Sequence, residues 1–229
     1  MFRFRDTAMI NEVQAISLIA AAFIMVYFLG SVRNKKLMQK YSRAIKEYMM
    51  PHSDKVGFRV FKPSGFRALC QPKTGKAKFN KIEIAVSMMD RENVLHYPLA
   101  MMTKDHDRFV CWSFLENVVP TEIEILPKSD KKLFIKLTSQ KLLEELKMDD
   151  KEFDDRFVLL AADAKLARKI LSNPKIQRGL INSGEFLKRL SIDRRESWVH
   201  LTGRLTDESL KPLLDLVICC NEVFGSQGA

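Results

Sequence analysis

Between Glu12 and Arg33 the chain runs for 20 residues, Val13 to Val32, without a charge. At 1.5 Å per residue such a helix is roughly 30 Å long, the thickness of a bilayer's hydrocarbon layer. Apolar side chains occupy every face and continue through Phe23, Ile24, Met25, Val26, Tyr27, Phe28 and Leu29 straight into basic residues. A signal peptide would instead carry a shorter apolar core and a small-residue cleavage site. The pattern therefore predicts a short extracytosolic tail over 1–12 and a transmembrane helix over 13–32. Beyond it, Leu37, Tyr41, Ala44, Ile45, Tyr48 and Met49 recur at helical spacing, so a juxtamembrane helix is expected over 33–50, until Met50-Pro51 stops it. Such a stripe packs first on the protein's own domain and only second on a partner helix.

After Pro51 the period changes. Val56–Lys62 and Phe66–Gln71 flank Pro63-Ser64-Gly65 and predict a hairpin. Alternating or β-branched runs predict further strands at Lys81–Met89, Arg108–Leu115, Thr121–Leu126, Leu133–Leu137 and Arg156–Ala161. A short helix is expected within Asn93–Met102, weakened by Pro98, and another over Ser139–Lys147. Asp163 is placed to cap a helix carrying Leu166, Ala167, Ile170 and Leu171, and Asn173-Pro174 restarts one to about Ile181. Phe186–Ile192 and Trp198–Gly203 predict an antiparallel pair. A final helix holds Leu210, Leu213, Leu214, Val217, Ile218 and Phe224 on its apolar side; Thr206, Asp207 and Ser209 compete as its start, and a start near Ser209 puts Pro212 in the first turn, where it is tolerated. Uneven runs of strands and helices, without βαβ units, indicate an α+β class with a mostly antiparallel sheet, one domain over 51–225.

The remaining composition narrows the field. An apolar share of 46% and a charged share of 29% over 229 residues are those of a folded chain. Four cysteines, at 70, 111, 219 and 220, have neither metal-ligand nor disulfide-framework spacing. The net charge of +10 is unevenly spread: residues 33–81 carry 14 Lys and Arg against 2 acids, a net of +12, and residues 82–229 sum to −2. Six basic residues follow the span closely, against two before it, which should keep the C-terminal side in the cytosol. The basic group comprises Arg33, Lys35, Lys36, Lys40, Arg43, Lys46, Arg59, Lys62, Arg67, Lys73, Lys76, Lys78 and Lys81, with Lys55 beside them. It suits either anionic lipid headgroups or RNA, as in a membrane-bound ribosome. Within the span, Ser17 and Ala21 lie four apart and could allow close helix approach, although an ordinary lipid-facing surface is the commoner outcome for such a pair.

No motif spells out a reaction. The histidines, His52, His96, His106 and His200, stand in no ligand spacing. His106, between Asp105 and Asp107, is the best single acid–base candidate, and an ordinary polar turn fits it better. Asp149, Asp150, Asp154 and Asp155 lack the glycine and distal glutamate of a calcium loop and suit a solvated connection. Cys219 and Cys220 point apart if helical, a poor redox pair. No glycine-rich phosphate loop is present. The chain reads as non-enzymatic, with no cofactor, metal or small-molecule substrate called for.

Three stretches resemble the calumin family, the coiled-coil membrane subunit of the PAT intramembrane chaperone complex. They are Phe28-Leu29-Gly30-Ser31-Val32-Arg33-Asn34-Lys35-Lys36-Leu37; Tyr97-Pro98-Leu99-Ala100-Met101-Met102 with the strand Arg108–Leu115; and Leu210-Lys211-Pro212-Leu213-Leu214-Asp215-Leu216-Val217-Ile218. The likeness covers roughly 13–224. It lacks the family's long acidic lumenal region and its C-terminal coiled coil, so calcium binding outside the membrane is not carried over. The resemblance implies an N-outside span and a cytosolic α+β domain. It also implies contact with the Sec translocon, the ribosome and a small multispanning membrane partner during membrane-protein biogenesis. The membrane would be the plasma membrane in a prokaryote and the endoplasmic reticulum in a eukaryote. The rival expectation is a tether or regulator whose basic residues meet only anionic lipid headgroups.

Overall fold

A computed structural model describes residues 4–73, 79–103, 105–130, 134–135 and 143–224. One helix, α1 (Phe4–Met49), includes both the apolar stretch and the basic segment without a break. It is long and apolar enough to cross a membrane, and its apolar window is entirely uncovered by the rest of the chain. Its second half is amphipathic, and there the stripe packs on the domain: Tyr41, Ile45 and Met49 are buried, while Leu37, Ala44 and Tyr48 are partly so. Each fully buried side chain of this kind contributes about 1.5–3 kcal/mol. The helix ends where expected, the N–H of His52 closing a turn on the Met49 carbonyl around Pro51.

Among the described residues the domain is built on nine strands: β1 (Ser53–Lys62), β2 (Gly65–Pro72), β3 (Phe79–Ser87), β4 (Arg108–Leu115), β5 (Ile123–Pro127), β6 (Glu144–Leu146), β7 (Phe157–Ala161), β8 (Leu187–Asp193) and β9 (Trp198–Arg204). They form one sheet in the order β1-β2-β3-β4-β9-β8-β5-β7-β6, with every neighbour antiparallel. The class is α+β, as the sequence predicts. Alternation is clear in β4, where Phe109, Cys111 and Leu115 are buried inward and Val110, Trp112 and Phe114 are half-buried on the opposite face. Register carries that parity across the sheet. Ile84 pairs with Cys111, which pairs with Leu201, while Trp112 pairs with His200.

The inward face is covered by the second half of α1 against β1 and β2, and by the last helix, α6 (Leu210–Phe224), against β4 and β9. Of the shorter helices, α2 (His96–Met102) lies in the connection between β3 and β4, and α3 (Lys151–Arg156), α4 (Ala164–Leu171) and α5 (Pro174–Ser183) add buried side chains to the same core. Caps set their starts as expected. Asp163 accepts from the Leu166 N–H, Asn173 from the Lys175 N–H, and Thr206 and Ser209 exchange hydrogen bonds ahead of α6. α6 is buried almost along its whole length, and Gly203 of β9 allows its approach, since a Cβ there would sit 2.9 Å from both methyls of Leu213.

Two expectations fail. Glu144–Leu146, expected in a helix over Ser139–Lys147, is an edge strand held by pairing with β7; residues 139–142 lie outside the described residues. Phe134 and Ile135, expected in a strand, are helical. The acidic residues Asp149, Asp150, Asp154 and Asp155 are exposed or half-exposed, as expected of a solvated connection, and that connection contains a helical turn. Asp150 caps α3 by accepting from the Glu152 and Phe153 N–H groups, and Phe153 anchors it in the core.

Candidate functional site

The place where α1 leaves the domain is built from Gly30 and Asn34, one helical turn apart on the same face. Gly30 touches backbone: an added Cβ would lie 2.1 Å from the Arg91 carbonyl oxygen. Asn34 is fully buried. Its amide N–H donates to the Met89 carbonyl at 3.1 Å, and its Oδ1 accepts from Arg91 Nη1 at 2.9 Å. Arg91 is also held two-pronged by Asp107, Nη1 to Oδ1 and Nη2 to Oδ2, both at 2.9 Å. Asp107 Oδ1 accepts a third bond from the Met89 N–H at 2.7 Å. The ring joins α1, the loop after β3 and the residue before β4, and its charged groups are nearly buried. A paired, hydrogen-bonded arrangement is the condition under which such charges are tolerated inside a protein.

The structure distributes the sequence-predicted basic residues over three places. Arg33, Lys36, Lys40, Arg43 and Lys46 form an exposed ridge on the side of α1 turned away from the core. Lys40 bonds Asp207 at 2.5 Å, and that hydrogen bond, outweighing partial burial, holds the Asp207 carboxyl below the usual range. Among the described residues, the other four ridge cations make no ion pair. A second group lies on the first hairpin. Arg59 and Arg67 stand directly opposite in register, and the Arg67 guanidinium and Lys62 Nζ lie 5.3 and 5.8 Å from the centre of the Phe61 ring. Lys35 lines a cavity of about 470 Å³ with Tyr27, Ser31, Val60, Pro63 and Glu92. The third place is the opposite end of the sheet. Lys73 is exposed there, and Lys81 pairs with Glu83 at 2.9 Å and sits 4.2 Å above the Phe114 ring. Lys76 and Lys78 lie outside the described residues. Ser17 and Ala21 are exposed on the free half of α1.

The candidate reactive groups have structural surroundings. His200 lies on the outward sheet face, stacked on Trp112 (5.3 Å between ring centres, 14° between planes) and beside Trp198. Burial, then the nearby Arg189 charge, lowers its pKa to about 4, so the imidazole is neutral at pH 7. Glu124, fully buried, is bound two-pronged by Arg189 and accepts from the Ser191 hydroxyl. The backbone N–H of His106 donates to the Asp105 carboxylate at 2.9 Å in the connection between α2 and β4. Cys70, Cys111 and Cys220 are buried, and burial pushes the thiols up, Cys70 to about 12. Among the described residues no cluster of His, Cys, Asp and Glu is arranged to hold a metal.

Sequence reasoning missed the Asn34–Arg91–Asp107 ring. Its one visible trace was a glycine followed four positions later by an asparagine where the apolar run turns basic. The arrangement provides a rigidly held helix with a bare cationic ridge, next to a hairpin tip that is itself cationic and apolar. No protein-family model matches the chain, and a search of curated proteins finds no match to it.

Proposed function

We propose that this protein is a non-enzymatic, single-span component of the membrane-protein insertion machinery, with α1 across the bilayer, the N-terminus outside and the domain in the cytosol. It works beside the Sec translocon and the ribosome, with a small multispanning partner against the span. The charge asymmetry around the span supports the orientation. The likeness of residues 28–37, 97–102 with 108–115, and 210–218 to the calumin family supports the machinery. The observation that carries the reading is the ridge of Arg33, Lys36, Arg43 and Lys46, exposed on α1 while the opposite face of the same turns is buried. Four unpaired cations on a rigid rod are a ready counter-surface for a phosphate backbone, whose release of counterions supplies the binding free energy.

The test is recovery of ribosomes with the full chain from solubilised membranes, for wild type and for Lys36→Glu/Arg43→Glu/Lys46→Glu. The ridge is exposed, so the variant should fold as wild type does; its orientation, now biased only by Arg33, Lys35 and Lys40, is checked by protease accessibility of the domain in sealed vesicles before recovery is compared. Ribosome recovery should fall more than tenfold, and wild-type recovery should decline steeply with added salt. Unchanged recovery after reversal overturns the docking reading in favour of a lipid-facing tether.

A further inference from the structure

The first hairpin returns to the height at which α1 leaves the domain. From Gly30 to Met49 the helix descends about 28 Å. β1 then runs back over Ser53–Lys62, about 30 Å of strand. Its tip accordingly meets the helix again: Val60 and Pro63 share one cavity wall with Tyr27, Ser31 and Lys35. Tyr27 belongs to the uncharged stretch, so with α1 across a bilayer the tip lies at headgroup level. The tip is unlike an ordinary soluble turn. Val60 is 65% exposed and Phe61 44% exposed, although the domain has an inward face on which to bury apolar side chains. Arg59 and Arg67 oppose each other across the strands, an arrangement that is destabilising without an anion. Among the described residues neither they nor Lys62 ion-pairs with a carboxylate.

We infer that the β1–β2 tip is a membrane-surface docking element for anionic phospholipid. Val60 and Phe61 enter the boundary between headgroups and acyl chains, and Arg59, Lys62 and Arg67 take the lipid phosphates. Apolar residues flanked by cations are the composition of interfacial anchors, and covalent attachment to the span holds this one where headgroups are. The cations over the Phe61 ring are compatible with that placement, since the ring faces tail and the charges face phosphate. The inference rests on α1 spanning the bilayer, but it assigns the hairpin to lipid and leaves the α1 ridge to the ribosome.

The full chain, in a Cys219→Ser background, is labelled with an environment-sensitive fluorophore at Pro63→Cys or Val60→Cys. Ile24→Cys reports the span and Lys55→Cys the opposite end of the same strand. Each is reconstituted in phosphatidylcholine vesicles with and without phosphatidylglycerol, with a headgroup-level nitroxide lipid as quencher. The tip probes should be blue-shifted and quenched in the anionic vesicles, and the Lys55 probe in neither. Arg59→Ala/Arg67→Ala should lower the docked-to-free ratio about 30-fold, from about 1 kcal/mol per surface cation. Tip probes that remain in water while the Ile24 probe is lipid-exposed overturn the inference and leave the span standing. An Ile24 probe in water overturns both. Docking that survives the double alanine variant refutes the assignment of phosphate to the two arginines.

Discussion

Replacing Asp107 by alanine tests whether the ring at the exit of α1 holds the helix to the domain. The substitution removes both prongs at 2.9 Å from Arg91 and the 2.7 Å bond from the Met89 N–H. Arg91, its side chain 10% exposed, is left inside the protein without its counter-charge. Breaking one partner out of a buried pair costs about 3–5 kcal/mol, which is roughly 160- to 5,000-fold in the folding equilibrium. Domain stabilities are about 5–15 kcal/mol, so the loss should be evident in a urea titration of the detergent-solubilised chain. Both tryptophans, Trp112 and Trp198, lie on the sheet, so their fluorescence reports the domain and not the span. Arg91→Met/Asp107→Leu removes both charges together and should cost less than Asp107→Ala alone. The reasoning is refuted if Asp107→Ala unfolds within about 1 kcal/mol of wild type, or if the double variant is the less stable of the two.

Three further outcomes are expected. Gly→Ala in a helix interior ordinarily stabilises by about 1 kcal/mol. Gly30→Ala should reverse that sign, because its Cβ meets the Arg91 carbonyl; a midpoint in urea equal to or above wild type would refute the close approach. With its imidazole pKa at about 4 when folded and near 6.5 when unfolded, His200 binds its proton more readily in the unfolded chain. Its share of stability is therefore complete above pH 6.5 and declines as pH falls towards 4. The difference in unfolding midpoint between wild type and His200→Phe, which keeps a stacking ring, should change across that window and be flat above it. Finally, N-ethylmaleimide at neutral pH should leave Cys70, Cys111 and Cys220 unmodified in the native protein and reach Cys219 slowly, with all four reacting in urea. Peptide mass spectrometry showing Cys70 or Cys111 labelled without denaturant would contradict their burial.

Much of this architecture was legible in the chain because its signals are local. The uncharged run, the stripe from Leu37 to Met49, and the caps at Asp163 and Asn173 each act within a few residues. What failed was governed at a distance. Glu144–Leu146 has helical composition, but pairing with β7 makes it a strand, as tertiary context commonly overrides short propensities. The α3 turn was masked by its acidic residues, although one of them is a cap and Phe153 is a core anchor. At the candidate site, the cations of the α1 ridge could be read from charge and period alone. That Lys40 is engaged and its neighbours are bare could not, since Asp207 is 167 residues away. The ring is subject to the same limit, with Asn34 and Arg91 57 positions apart. The hairpin tip was visible as a turn, but its return to the level of Tyr27 follows only from the matched lengths of α1 and β1.

Because α1 runs unbroken from Phe4 to Met49, its apolar half and the domain share one orientation. With Gly30 locked against Arg91, a bilayer thinner than the apolar stretch must be met by leaning the whole rod, because the helix cannot slide through its socket. A lean of about 10° carries the Met49 end sideways by about 5 Å over the 28 Å below the exit point. With α1 placed across a bilayer as proposed, membrane thickness is thereby converted into the attitude of the domain, and vesicles of graded chain length should turn the domain and the apolar half of α1 together, by equal angles.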